Sequence, residues 1–144
     1  MTKINQYPPV VAGGLLGLGF VAFGLMFLLG MVPDQEPPPE GSPAAMFFGA
    51  MIPTGYFTFI KVLEVLGGLL VLIPKTRNLG LLLLVPIVVN IIAYHAFIGG
   101  PEGFADPVLL VIVALTAYLL VHERGVFIAL INRPWHKAGQ TTEA

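Results

Sequence analysis

The chain is dominated by long apolar runs with few charged residues. Residues 10–32 and 79–98 contain no Asp, Glu, Lys or Arg, and 53–73 is interrupted only by Lys61 and Glu64. A helix needs about 20 apolar residues to cross the hydrocarbon core of a bilayer, with a range of roughly 17–25. These three runs meet that length. They therefore predict membrane-spanning helices and exclude an ordinary soluble domain.

A fourth, shorter apolar run follows near the C-terminus. Asp106 and Pro107 have the residue types of an N-cap and a first helical position, so we predict a span over 107–124. Ser42 and Pro43 predict a short helix through residue 51 in the same way. We thus predict an all-α membrane protein, a four-transmembrane-helix bundle in a single domain over 1–144, with a proline-rich outer loop at 33–43.

The charged residues are few and unevenly placed. They make up 10% of the chain, against about 25% in soluble domains. With four spans, one side receives these basic residues: Lys3, Lys75, Arg77, Arg124, Arg133 and Lys137. In the two loops on the other side, all charged residues are acidic. Because cytoplasmic loops are enriched in Lys and Arg, we predict a multi-pass membrane protein with both termini cytoplasmic.

The first run could also be read as a signal peptide. Its length of about 23 residues exceeds the 7–15 apolar residues of a signal peptide, and only Lys3 precedes it, so we interpret it as a retained span. The absence of Cys excludes disulfides and thiolate metal sites. The net charge of −1 gives no reason to expect a nucleic-acid partner.

Polar residues inside a span indicate a candidate site. Lys61 and Glu64 are three residues apart and share a helix face, and an antiparallel third span brings Asn90 to a similar depth. We predict that the three cluster at the bundle centre as a ligand or proton site. A structural ion pair that fixes helix packing is the alternative interpretation. No catalytic residue or metal site is predicted.

Two further features complete the candidate residues. His95, nearer the outer end of the third span, could bond a quinone headgroup or act as a single metal or haem ligand. It could equally bond a backbone carbonyl. Gly13, Gly17 and Gly24 align on one face of the first span, and Gly67 and Gly68 offer a matching surface on the second. We predict that these small residues form a helix-packing seam.

Several of these motifs together resemble a known family. The segments TGY at 54–56, IKVLEVLGGLL at 60–70 and VPIVVN at 85–90, followed by His95, resemble the DoxX family of small four-span bacterial membrane proteins. Carried over residue by residue, the family pattern falls on these positions: Lys61, Glu64, Gly68, Pro86, Asn90 and His95. The family takes its name from a subunit of a thiosulfate:quinone oxidoreductase, and other members are associated with redox stress.

The resemblance implies an accessory subunit of a quinone-linked or other redox complex in the bacterial inner membrane, with quinone as a candidate cofactor. Its partners would be the lipid bilayer and either other membrane subunits or further copies of the chain. No nucleophile–base arrangement or nucleotide-binding loop is found, so we expect no catalysis by this chain alone. Two alternatives stay open. One is a small proton- or solute-conducting unit that uses Glu64, and the other is a purely structural helical subunit.

Overall fold

The computed structural model describes residues 7–33 and 36–132, and these residues form helices and turns without any strand. Within these two ranges, six α-helices follow one another: α1 (Tyr7–Leu28), α2 (Pro43–Met51), α3 (Tyr56–Leu72), α4 (Arg77–Tyr94), α5 (Pro107–His122) and α6 (Arg124–Ile131). A π-helical turn, His95–Gly99, extends α4, and a 3-10 turn, Pro101–Ala105, leads into α5. The described part of the chain is therefore all-helical.

Two to four of these elements can cross a membrane. Tyr7–Leu28 and Arg77–Gly99 are long and apolar enough to do so singly. The pairs α2–α3 and α5–α6 also qualify if each bent pair is one span, with bends of 79° and 64°. At 1.5 Å per residue, the 17 residues of α3 and the 16 of α5 cover about 25 Å, less than the roughly 30 Å of hydrocarbon. The length and composition of these helices are consistent with a membrane protein.

The predicted helix starts at Ser42 and Asp106 are confirmed. The Ser42 hydroxyl accepts a hydrogen bond from the Ala45 amide at 3.1 Å, and Pro43 follows as the first helical residue. The Asp106 carboxylate accepts one from the Val108 amide at 2.7 Å. Such caps satisfy amides that have no partner within the first helical turn.

The bend between α2 and α3 forms where glycine is required. Gly55 immediately precedes α3 and has φ of +76°, a left-handed conformation that side chains with a Cβ rarely adopt. The 79° bend sets α2 nearly perpendicular to α3. In this position α2 forms one wall of the cavity described below.

The bundle is assembled by close packing of α1 on α3. A Cβ atom added to Gly17 would lie 2.6 Å from the carbonyl oxygen of Gly68, and one added to Gly68 would lie 2.8 Å from that of Gly17. Farther along, a Cβ at Gly24 would lie 2.6 Å from a Val65 methyl group. The two backbones therefore approach more closely than larger residues would allow.

The remaining core joins α1 and α3 to α4 and α5. Its buried apolar side chains are Ala12, Leu16, Phe20, Val71, Leu81, Leu84, Val88 and Leu119. On the other side of α3, a Cβ at Gly67 would meet Leu84 of α4 at 2.6 Å. The glycine pair at 67–68 thus lets α3 pack tightly against a neighbour on each side.

Candidate functional site

Lys61 and Glu64 form a buried ion pair within α3. The Lys61 ammonium donates to both carboxylate oxygens of Glu64, at 3.0 Å to Oε1 and 2.9 Å to Oε2. The Glu64 side chain is only 4% exposed, and that of Lys61 is 18% exposed. Two opposite charges one helical turn apart neutralise each other, which reduces the cost of holding them among apolar groups.

The ammonium also contacts an aromatic ring. Lys61 Nζ lies 5.2 Å from the centre of the Phe57 ring, within the distance of a cation–π interaction. Among the described residues, the two Glu64 oxygens are the only hydrogen-bond acceptors of the ammonium. An ammonium group has three N–H donors. One N–H donor is therefore left for a ligand.

The pair lines a cavity of about 630 Å³ between α2, α3 and α4. Its walls are mostly apolar and aromatic. Lys61, Glu64 and Asn90 contribute its charged and amide groups. Small-molecule sites have volumes of roughly 300–1,000 Å³, apolar walls and a few polar groups that orient the ligand. The cavity has this composition and size.

Aromatic rings from three helices hold α2 over the cavity. Phe48 of α2 lies 5.8 Å from Phe57 of α3 and 5.5 Å from Tyr94 of α4, measured between ring centres. Phe47 lies 5.3 Å from Tyr94. On the far side, Phe27 of α1 is in edge-to-face contact with Phe57 at 5.0 Å. Pairs at these separations add to the stability given by burial alone.

Asn90 shares the cavity with the ion pair but is not bonded to it. Its side chain is exposed on α4, and within the described residues it makes no hydrogen bond. The structure therefore brings the three residues of the predicted cluster to one cavity, with Asn90 on the open side rather than enclosed with Lys61 and Glu64. An amide in this position can donate to or accept from a ligand.

His95 lies outside the walls of this cavity. It begins the π-helical turn, and its ring packs 5.2 Å from Tyr94 and 6.0 Å from Phe104. Its Nδ1 is buried without a hydrogen-bond partner among the described residues, and a Cβ at Gly103 would overlap the ring. Its neighbour Tyr94 lines the cavity instead.

The sequence did not indicate the aromatic wall. Phe47 and Phe48 are adjacent in a short helix. Because adjacent residues on a helix do not face the same way, no helical periodicity indicated a site at these positions. Only the 79° bend brings them to Tyr94 and Phe57. The consecutive phenylalanines after a capped helix start were the one available signal.

Arg77 is a further residue whose burial the sequence did not indicate. The segment PKTRN at 74–78 is typical of an exposed polar turn, but α4 begins at Arg77, which is only 4% exposed. Its Nη1 lies 3.5 Å from Glu123, while Nε and Nη2 are buried without a partner among the described residues. A Cβ at Gly13 would lie 2.9 Å from Nε, so this glycine of α1 makes room for the guanidinium.

Comparison of the chain with known protein families, with curated proteins and with solved structures finds no match. The resemblance to the DoxX family therefore stays a prediction from the sequence.

Proposed function

We propose that the chain is a four-span, DoxX-like protein of the bacterial inner membrane with both termini cytoplasmic, and that it is an accessory subunit of a quinone-linked redox complex. In this proposal the four spans are α1, α3, α4 and α5, and α2 and α6 turn away from α3 and α5 at bends of 79° and 64°. The cavity between α2, α3 and α4 takes the headgroup of the quinone. The observation that carries the proposal is this mostly apolar cavity, lined by six aromatic side chains, with the Lys61 ammonium in its wall.

The lining residues suit a flat ring that carries carbonyl oxygens. Phe48, Phe57 and Tyr94 offer ring faces and edges for stacking, and their positions are fixed by contacts with one another. Lys61 and Asn90 offer hydrogen-bond donors to carbonyl oxygens. Glu64 holds the ammonium in place, because both of its oxygens accept from Lys61. The chain would bind and orient the ring.

The exchange of electrons would belong to a partner subunit. A bound quinone would take up or release electrons and protons. Within the described residues, no group of three or more His, Cys, Asp or Glu side chains is arranged to hold a metal ion. The residues on the cavity wall are suited to positioning a quinone ring rather than to transferring electrons, which supports an accessory role.

Quinone binding by the purified chain tests this proposal. The protein in mild detergent is titrated with a short-chain ubiquinone, and binding is measured by equilibrium dialysis. The test variant is the double replacement Lys61→Met with Glu64→Leu, which removes both charges and leaves none unpaired. Val62→Met is the matched control, since Val62 is an exposed residue of the same helix outside the cavity.

We expect the wild type and Val62→Met to bind equally and the double variant to bind at least about tenfold more weakly, the loss of one charge-assisted hydrogen bond. Absence of quinone binding by the wild type would contradict the proposal. Equal binding by the double variant would contradict the assignment of Lys61.

A structural role for the ion pair is the second candidate function. The specific observation in its favour is that Lys61 satisfies both oxygens of Glu64 within one helix, so the pair needs no ligand to be neutral. If the double variant keeps its stability, its partner subunits and its quinone binding, the pair only shapes the helix surface.

A further inference from the structure

The short helix α6 leaves the bundle at an angle and exposes apolar side chains. It contains eight residues and is bent by 64° from α5. Phe127 packs against the core. Four other apolar residues are exposed, from 49% to 82% of their surface: Val126, Ile128, Leu130 and Ile131. Of the apolar residues of α6, only Phe127 packs on the core, and the exposed ones lie around the rest of the helix, with Val126 and Leu130 on one face.

The bend places this surface close to the plane of the membrane. If α5 crosses along the membrane normal, a helix bent by 64° lies within about 26° of the membrane plane. The 16 residues of α5 cover about 24 Å, so α5 ends about 6 Å short of the full hydrocarbon thickness of roughly 30 Å. Interfacial helices bury their apolar side to about 5–10 Å at the boundary between headgroups and acyl chains. The depth at which α6 begins agrees with this.

The charges at this end of the molecule fit anionic headgroups. The 3.5 Å contact between Arg77 and Glu123 shows that the α3–α4 turn and the start of α6 lie together. Lys75 of that turn and Arg124 of α6 are both exposed. The sequence adds Arg133 and Lys137 just after α6. Basic residues near a membrane surface are attracted to anionic lipids by about 1 kcal/mol each.

We propose that α6 is an interfacial helix that docks on anionic lipid headgroups at the basic end of the bundle. Its exposed apolar residues enter the upper acyl region, and Arg124 bonds lipid phosphate. The Arg77–Glu123 contact at the bend holds α6 in this orientation. This inference rests on the membrane-spanning placement of α5 in the proposed function, and it is independent of quinone binding.

Depth measurements with spin labels test the inference. The chain has no Cys, so single cysteines can be labelled with a nitroxide without further changes. Val126→Cys and Leu130→Cys lie four residues apart on one face of α6. Ala114→Cys and Tyr118→Cys are a matched pair on the exposed surface of α5. Each variant is placed in bilayers of phosphatidylcholine alone and of phosphatidylcholine with phosphatidylglycerol, and depth is read from accessibility to oxygen and to a water-soluble nickel chelate.

We expect the two α5 labels to differ in depth by about 6 Å, the rise of four residues. The two α6 labels should differ by only about 3 Å, since a 64° bend reduces that rise by more than half. Both α6 labels should be immersed. Phosphatidylglycerol should deepen them, and Arg124→Gln should reduce that dependence on the anionic lipid.

Three outcomes would overturn the inference. A difference of about 6 Å for the α6 pair would mean that α6 continues the span of α5. Access of the nickel chelate to both α6 labels, with the α5 labels immersed, would mean that α6 does not dock on the membrane. Equal depths in the two lipid mixtures would contradict the anionic partner. Access of the chelate to the α5 labels would instead contradict the four-span proposal itself.

Discussion

Two buried ionic contacts occupy different places in this molecule and are built differently. Lys61 and Glu64 lie one turn apart in α3, and the ammonium donates to both carboxylate oxygens at 2.9–3.0 Å. Arg77 and Glu123 come from opposite ends of the described helices α4 and α5, and a single pair of atoms meets at 3.5 Å. The first contact is satisfied within one helix. The second depends on how four helices are assembled, and it leaves two guanidinium nitrogens without partners among the described residues.

The difference determines which substitution destabilises each ion pair most. The Lys61–Glu64 pair is sensitive to the loss of either charge, because Glu64 is almost fully enclosed. In the Arg77–Glu123 pair the buried member is the cation, while the Glu123 side chain is 20% exposed. Removing the carboxylate should therefore cost more than removing the guanidinium. Four predictions test this comparison.

The largest effect is expected from Lys61→Met alone. This change leaves the buried Glu64 carboxylate without its partner, and breaking a buried pair in this way costs about 3 kcal/mol. Thermal unfolding in detergent measures the loss, with Val62→Met as the control for the added methionine. Unfolding of Lys61→Met at the temperature of the control would show that Glu64 is not held by Lys61.

The second effect concerns the other pair. Glu123→Gln leaves the 4% exposed Arg77 cation with a neutral partner and should lower the free energy of unfolding by about 2 kcal/mol. Arg77→Met removes the unpartnered nitrogens together with the charge and should cost less than Glu123→Gln. Denaturant unfolding of both variants compares them. A larger loss of stability for Arg77→Met than for Glu123→Gln would contradict the prediction that the buried cation is the more costly charge to leave unpaired.

A smaller effect is expected when both charges of the first pair are removed. The double replacement Lys61→Met with Glu64→Leu should change the free energy of unfolding by about 1 kcal/mol or less, since well-packed apolar residues often replace a buried pair without loss. The same thermal unfolding assay measures it. A loss as large as that of Lys61→Met alone would mean that the two residues do not act as a pair.

The smallest effect is expected at Asn90. Because its side chain is exposed and has no hydrogen bond among the described residues, Asn90→Leu should change stability by less than about 0.5 kcal/mol. It should still weaken quinone binding if Asn90 orients the ring. A large loss of stability would show that Asn90 bonds a group within the protein.

Much of the local structure could be predicted from the sequence. Ser42 and Asp106 marked helix starts because side-chain oxygens at those positions bond nearby amides, and both bonds are present. The three-residue spacing of Lys61 and Glu64 predicted a shared face, and the two side chains are bonded. Asn90 lines the same cavity as Lys61 and Glu64, as its predicted depth in an antiparallel helix indicated. The depth along a helix does not say which way a side chain faces, so the exposure of Asn90 could not be predicted.

Features that depend on long-range packing could not be predicted. Arg77 lies next to Pro74 and Lys75 in a segment typical of a surface turn, yet it is enclosed because Gly13 of α1 leaves space for it. The distance in sequence between these residues is too great for any periodic pattern. The aromatic wall of α2 likewise depends on the 79° bend that Gly55 permits.

The sequence alone therefore determined the all-helical class, the helix starts and the pairing of Lys61 with Glu64, because hydrophobic runs, caps and one-turn spacings act over a few residues. The tertiary structure decided which helix faces are enclosed. It buried Arg77, brought Phe48 to Tyr94 and turned α6 away from α5. Those outcomes depend on the angles between helices, which are set by side chains from distant parts of the chain packing together.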